Sequence, residues 1–136
     1  MKRISLVFEG YWINKNNLPK KSGIYCVYSC MTKDVKTIKI KKLLYIGESV
    51  NVHDRIANHD RLMDWNKYLN DNEILCYSFA TINGEDRERA EAALIKKHQP
   101  PTNEEHMNHF IYNDTEIILD GKISKLNANF IMKKTN

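Results

Sequence analysis

A single α+β domain is the fold this chain predicts, and three observations predict it. Its 136 residues are enough for one hydrophobic core and leave little for a second. Two neighbouring runs rich in β-branched and aromatic residues, Ile24 to Cys30 and Val35 to Ile46, flank "TKD" as a hairpin turn and make an antiparallel pair. Helical patterns then alternate with one further strand, giving the order β-β-α-(α)-β-α.

Each element follows from its residues. "RISLVF" near the start reads as a short strand, and "NKNNLPKKSG" is turn material ending where the next strand begins. Side chains alternate faces along a strand, so Tyr25 and Val27 share one face while Ile24, Cys26 and Tyr28 share the other; Leu43 and Tyr45 likewise oppose Leu44 and Ile46. "SVNVHDRIANH" reads as a helix with Ser49 as N-cap, and "RLMDWNKYLN" as a second helical stretch. "EILCYSFATI" is a third strand, "NGED" a turn, and "EDRERAEAALIKKH" a helix stopped by Gln99, Pro100 and Pro101. "EIILDG" and "ANFIM" are further strand candidates in the tail, with no role legible for them.

Composition narrows the class. A net charge of +4 suits a polyanionic partner, although many soluble proteins are as basic. Cys26, Cys30 and Cys76 are odd in number, lie mostly in apolar runs and form no CxxC pair, so they read as reduced core thiols. No run approaches membrane-spanning length, and "ISLVF" is too short for a signal-peptide core. The expectation is a soluble, cytoplasmic protein that does not engage a membrane.

Three groups of residues stand out chemically. Projected at about 100° per residue, the first helix puts Val52, Ile56 and Met63 on one arc that also holds Arg55 and His59. These two read either as inward polar groups or as a solvated arginine and a helix-end cap. In the last helix Ala90, Ala93, Leu94 and Ile95 define a buried side with Glu91 projecting into it. Burying an unpaired carboxylate costs on the order of several kcal/mol, so Glu91 calls for a cation, a donor or a metal, or else sits at the rim paired with Arg87. Lys33, Lys36, Lys39, Lys41 and Lys42 make the hairpin basic; without a bulge, Lys39 and Lys41 share the face of Tyr45. Such lysines either track phosphates or protect an edge strand from aggregation.

The triplets "GIY" at Gly23 to Tyr25 and "YIG" at Tyr45 to Gly47, the run "YIGESVNVHDR" with His59 four residues on, and "EAALIKKHQPPTN" together resemble the GIY-YIG nuclease family. The run of matching elements is similar to the N-terminal incision domain of bacterial excision-repair nucleases and to GIY-YIG homing endonucleases. It covers residues 18–103, with 1–17 as a strand lead-in and 104–136 as a C-terminal extension of the same domain.

The resemblance implies a central three-stranded antiparallel sheet flanked by helices, and metal-dependent hydrolysis of nucleic-acid phosphodiester bonds. It implies that Glu91 holds Mg²⁺ or Mn²⁺, that Arg55 stabilises the scissile phosphate, and that Tyr25 and Tyr45 frame the attacking water. His59 would assist in proton transfer or phosphate contact, Gly47 and Asn103 would support the site, and Lys39, Lys41 and Lys42 would bind nucleic acid. Two departures are the twenty positions between Tyr25 and Tyr45, and Glu48 where some members carry a lysine.

The residue types suit the chemistry. A hard carboxylate oxygen matches Mg²⁺, and arginine supplies permanent, bidentate-capable charge. Tyrosine, with a reference pKa of about 10, needs nearby cationic charge to act as a base. DNA is the expected substrate, with an RNA-directed nuclease or a non-cutting binding module on the same fold as alternatives. Residues 104–136 either form a homodimer contact or extend the binding surface.

Overall fold

The computed structural model describes residues 1–34 and 36–136. Along the chain lie β1 (Lys2–Trp12), a 3-10 turn (Lys15–Asn17), β2 (Gly23–Asp34), β3 (Thr37–Ser49), α1 (Val52–Ala57), α2 (Leu62–Lys67), β4 (Ile74–Thr81), α3 (Glu85–His98), β5 (Thr115–Gly121) and β6 (Asn129–Met132). Val35, which opens the expected second strand, lies outside the described residues.

The strands form one mixed six-stranded sheet in the order β3-β2-β4-β1-β5-β6. Its β3, β2 and β4 are the antiparallel unit expected from the resemblance, but that unit is only half of the sheet. β1 adds antiparallel to β4, β5 runs parallel beside β1 from Lys2–Thr115 to Phe8–Gly121, and β6 closes antiparallel on β5. The expectation of three strands is corrected to six. The cause is burial at alternate positions, Ile4, Leu6 and Phe8 in β1 and Ile117 and Leu119 in β5, which no three-stranded sheet could cover. The tail beyond residue 103 is therefore built into the sheet.

The hairpin also departs from expectation. "TKD" continues β2, with Thr32 opposite Ile38 and Asp34 opposite Thr37, so the reversal lies after Asp34. Irregular register at Val27/Tyr28 and again at Ser29/Cys30 places two bulges in β3. They undo the simple alternation that put Lys39 and Lys41 together. Lys39 pairs with Met31, which follows Tyr25 and Val27 on one face, while Lys41 falls at a bulge.

Each face of the sheet has its own apolar layer. Ile24, Cys26, Tyr28 and Ile46 pack with Ala90, Ala93, Leu94 and Ile95 of α3, and with Phe110. On the other face Tyr25, Val27, Tyr77 and Phe79 pack with Leu18, with Val52 and Ile56 of α1 and with Trp65 of α2. All three cysteines are buried and unbridged. No helix is long and apolar enough to cross a membrane among the described residues.

The helices after the hairpin are shorter than their pattern suggests. Asn51, not Ser49, caps α1 by accepting from the Asp54 amide at 3.1 Å, and the helix ends at Ala57. Met63 belongs to α2 and is 75% exposed, so it shares no arc with Val52 and Ile56. His59 lies in the connection between the two helices rather than on a helix face. By contrast α3 runs Glu85–His98 as expected, and Gln99 ends it in a left-handed conformation at φ 50 before the two prolines.

β3 is the outer strand of the sheet, and its free edge is covered by the chain that leaves α3. Thr102 donates from its backbone N–H at 3.2 Å and from its hydroxyl at 2.6 Å to the Leu44 carbonyl. The Asn103 amide then acts as a strand partner: it accepts from Ile46 N at 3.0 Å and donates to Ile46 O at 2.9 Å. A chain ending at residue 112 should lose cooperative thermal unfolding, because it exposes the β1 edge and the Phe8–Phe110 layer that β5 and β6 complete. A melt as sharp as that of the full chain would show residues 113–136 to be dispensable.

Candidate active site

The pairing of β2 with β3 sets Tyr25 opposite Gly47 and Val27 opposite Tyr45. The tyrosines are thus diagonal neighbours on one face, stacked with ring centroids 6.1 Å apart and planes 26° apart. Gly47 makes this packing available: a Cβ there would clash with the Cζ and hydroxyl of Tyr25. Gly23 answers to the same constraint on the neighbouring strand, where a Cβ would meet the Phe79 ring and the Ala80 carbonyl.

His59 closes the group. Its Nε2 lies 2.7 Å from the Tyr25 hydroxyl, and its ring meets Tyr25, Tyr45 and Trp65 at 5.9, 5.1 and 4.4 Å between centroids. The Arg61 backbone N–H donates to Nδ1 at 3.0 Å, so Nδ1 must be an acceptor and the ring proton belongs on Nε2. Asp60 Oδ1, 3.3 Å from Nδ1, would favour the opposite tautomer. The shorter backbone contact decides, because burial and the neighbouring Arg55 charge push the imidazole down to about 4, leaving it neutral with one proton. Nε2–H therefore donates to Tyr25, which excludes His59 in this tautomer as an acceptor of the Tyr25 proton. The helix-end cap reading of His59 is replaced by a buried aromatic contact.

Burial raises both phenols above their ordinary value, with Tyr45 acting further on Tyr25 and Glu91 on both, while Arg55 pulls the other way. The arginine charge alone does not bring either phenol below its ordinary value, because desolvation outweighs it.

Glu91 comes from α3 on the opposite layer. Its side chain is 16% exposed, and its one ion-pair contact among the described residues is His106 Nε2 at 3.6 Å, beyond hydrogen-bond reach. Burial first, then the charges of Glu48 and Glu105, lifts the carboxyl to about 8, with the Glu48 backbone acting the other way. The alternative partner Arg87 is engaged elsewhere: its Nε bonds Glu48 Oε2 and its Nη1 donates to Ser22 Oγ at 2.9 Å. Glu48 thus has a structural partner of its own.

These groups converge on a cavity of about 180 Å³ at the β3 edge, lined by Tyr45, Arg55, Arg61, Glu91, Glu104 and His106 among others. Asn103 is part of its wall. Tyr25 and His59 are not; they stand behind Tyr45. The position at a sheet edge lets side chains from both layers meet, Tyr45 and Arg55 from one and Glu91 from the other. Lys39 stands apart, opposite Met31 and so four residues along β2 from the Val27–Tyr45 pair, roughly 13 Å at about 3.3 Å per residue. Lys41 and Lys42 lie between.

Sequence reading missed Arg61, Trp65, Glu104 and His106. Trp65 alone carried a signal, as a large apolar residue at a helical position; the charged residues sit in short turns without periodicity. No cluster of three or more His, Cys, Asp or Glu side chains is arranged to hold a metal among the described residues. What the site offers is one buried carboxylate with uncompensated charge among acidic neighbours, and that donor set fits a divalent cation that keeps most of its waters.

A sequence-family match to the GIY-YIG catalytic domain covers residues 21–106. No curated protein and no solved structure matches the chain.

The raised Glu91 carboxyl binds its proton more tightly in the folded chain than in the unfolded one, so stability falls as pH rises from the ordinary 4.5 through about 8. In chelator, Glu91→Gln should therefore melt above wild type at pH 8.5 and the gap should close by pH 4. A gap independent of pH would show that Glu91 carries no such penalty.

Proposed function

The chain belongs to the GIY-YIG nuclease family, and on that premise we propose that it is a divalent-metal-dependent endonuclease hydrolysing nucleic-acid phosphodiester bonds, with DNA as substrate. The observation that carries the reading is the convergence of Tyr45, Arg55 and Glu91 on one cavity, with the Tyr25–His59 pair directly behind Tyr45.

Phosphodiester hydrolysis needs a deprotonated water, neutralisation of charge building on the phosphoryl oxygens, and a stabilised leaving oxygen. Glu91 would hold Mg²⁺ or Mn²⁺; bound there, the cation supplies positive charge to the phosphoryl and leaving oxygens. Arg55 adds permanent charge from the other wall, exchanging its contact with Asp60 at 3.0 Å for a phosphate oxygen. Tyr45, which lines the cavity, orients the attacking water with Tyr25 stacked behind it, and the ionised member of the pair receives the water's proton. His59 holds the Tyr25 ring and, by donating to the phenol oxygen, favours the ionised form against the burial that opposes it. Asn103 keeps the YIG strand in place through its two bonds to Ile46. Lys39, Lys41 and Lys42 extend a basic arm along the hairpin towards flanking phosphates.

The test is single-turnover cleavage of duplex, nicked, branched and single-stranded DNA and RNA, with Mg²⁺, Mn²⁺ or chelator. Cleavage of DNA that stops in chelator is expected, with Glu91→Ala inactive yet still binding. Arg55→Ala should lose roughly 10²–10³ in rate. Of Tyr25→Phe and Tyr45→Phe, the one that removes the proton acceptor should lose roughly 10²–10⁴. Wild-type cutting by Glu91→Ala would overturn the metal assignment; binding without cutting under every condition would make the chain a binding module, and cleavage of RNA alone would move the substrate.

A further inference from the structure

Among the described residues, Arg61 is the one cation that lines both of two neighbouring cavities. Beside the cavity of Glu91 and Arg55 lies a second, of about 190 Å³, walled by Arg61, Asp64, Lys67, Tyr68, Thr102 and Glu104, with Pro101. The Arg61–Glu104 pair is shared by both and stands where they meet. Its geometry is fork on fork, with Nη1 to Oε1 at 2.8 Å and Nη2 to Oε2 at 2.7 Å. Asp64 Oδ2 lies further off at 3.4 Å.

We propose that Arg61 binds a second, non-scissile phosphate of the nucleic-acid strand and that Glu104 occupies that phosphate's place in the free protein. The proposal rests on the nuclease reading above and adds to it a residue that reading does not use. A bidentate carboxylate presents two oxygens to a guanidinium as a phosphate does, so one can replace the other without moving the arginine. Glu104 can leave: its side chain is 71% exposed and it belongs to a stretch, 103–114, without helix or strand. Arg61 is held more firmly, because its backbone N–H donates to His59 Nδ1 and its side chain is 26% exposed against 71% for Glu104. The neighbouring cavity supplies what a flanking nucleotide needs, the ammonium of Lys67 and the half-exposed ring of Tyr68. Arg55 repeats the arrangement on the cavity's other wall, capped by Asp60, whose side chain is 74% exposed. Each arginine at the site is thus held in place by a carboxylate that solvent can take.

The competing reading is a structural tie between α2 and the segment after Asn103. The two part in a binding measurement on the full chain in chelator, where nothing is cut: anisotropy of a fluorescein-labelled DNA duplex against salt, with a thermal melt of each variant. Glu104→Gln should tighten binding about two- to fivefold, the range that an exposed ion pair of this kind holds back. Arg61→Gln should weaken it and lower the salt slope by about one. The double variant should match Arg61→Gln, because the gain passes through Arg61, and Glu105→Gln should gain less than Glu104→Gln. A gain that survives in the double variant, or an equal gain in Glu105→Gln, would reduce Glu104 to general charge and overturn the proposal. A lower melting temperature without tighter binding would make the pair a tie, with the same result. Wild-type binding that depends on Arg55 but is indifferent to Arg61 and Glu104 would sink this inference and leave the nuclease reading standing; a wild type that binds no nucleic acid would sink both.

Discussion

The packing of the Tyr25 ring across Gly47 is the constraint on which the rest of the site depends. Two strands in register bring the residues opposite one another, and the ring takes the volume that any side chain at residue 47 would need. Because Tyr25 lies there, Tyr45 can stack on it from the diagonal position and His59 can reach its hydroxyl from the turn between two short helices. Most of the aromatic group is buried as a result, and burial raises both phenols while it lowers the imidazole. One steric fact at a glycine thus underlies the direction in which three neighbouring rings shift.

The edge position of β3 has a second consequence. A site in the middle of a sheet could draw on one face only, but at the edge the groups of both layers can converge. Glu91 comes from the helix on one side and Arg55 from the helix on the other, and the strand between them presents Tyr45. An open edge invites pairing with another chain. Here Thr102 and Asn103 occupy its hydrogen-bonding groups at Leu44 and Ile46, so the same contacts that protect the edge hold the cavity wall.

Charge at the site is kept in tension. Glu91 is buried near Glu48 and Glu105, an arrangement that costs stability unless a cation or proton joins it. Across the cavity Arg55 and Arg61 each face an exposed carboxylate. The protein thus holds unlike charges apart in one cavity and satisfies the two arginines, but not Glu91, with groups that solvent can replace. Such a site trades stability for readiness to bind.

The strands Ile24–Cys30 and Glu73–Ile82, and α3 with its stop at Gln99, were legible in the sequence because their signals are local: β-branched runs, a helical period, and two prolines after the last turn. Glu91 was legible for the same reason, as a carboxylate among apolar helix positions, and the paired glycine–tyrosine triplets marked the family. What the sequence could not decide was anything set by contacts across long separations. The parallel pairing of β1 with β5 joins Lys2 to Thr115, and nothing near either strand announces it. The bulges that separate Lys39 from Lys41 arise from how β3 packs against β2, not from their own residues. His59 read as a helix residue because its spacing from Arg55 is helical, whereas the chain breaks at Asn58 to bring the ring to Tyr25. The direction in which the tyrosines shift was likewise beyond composition, since burial and arginine charge oppose one another and only their distances say which prevails. Local propensity and periodicity are properties of a segment and can be read from it; register, burial and the meeting of charges are properties of the folded whole.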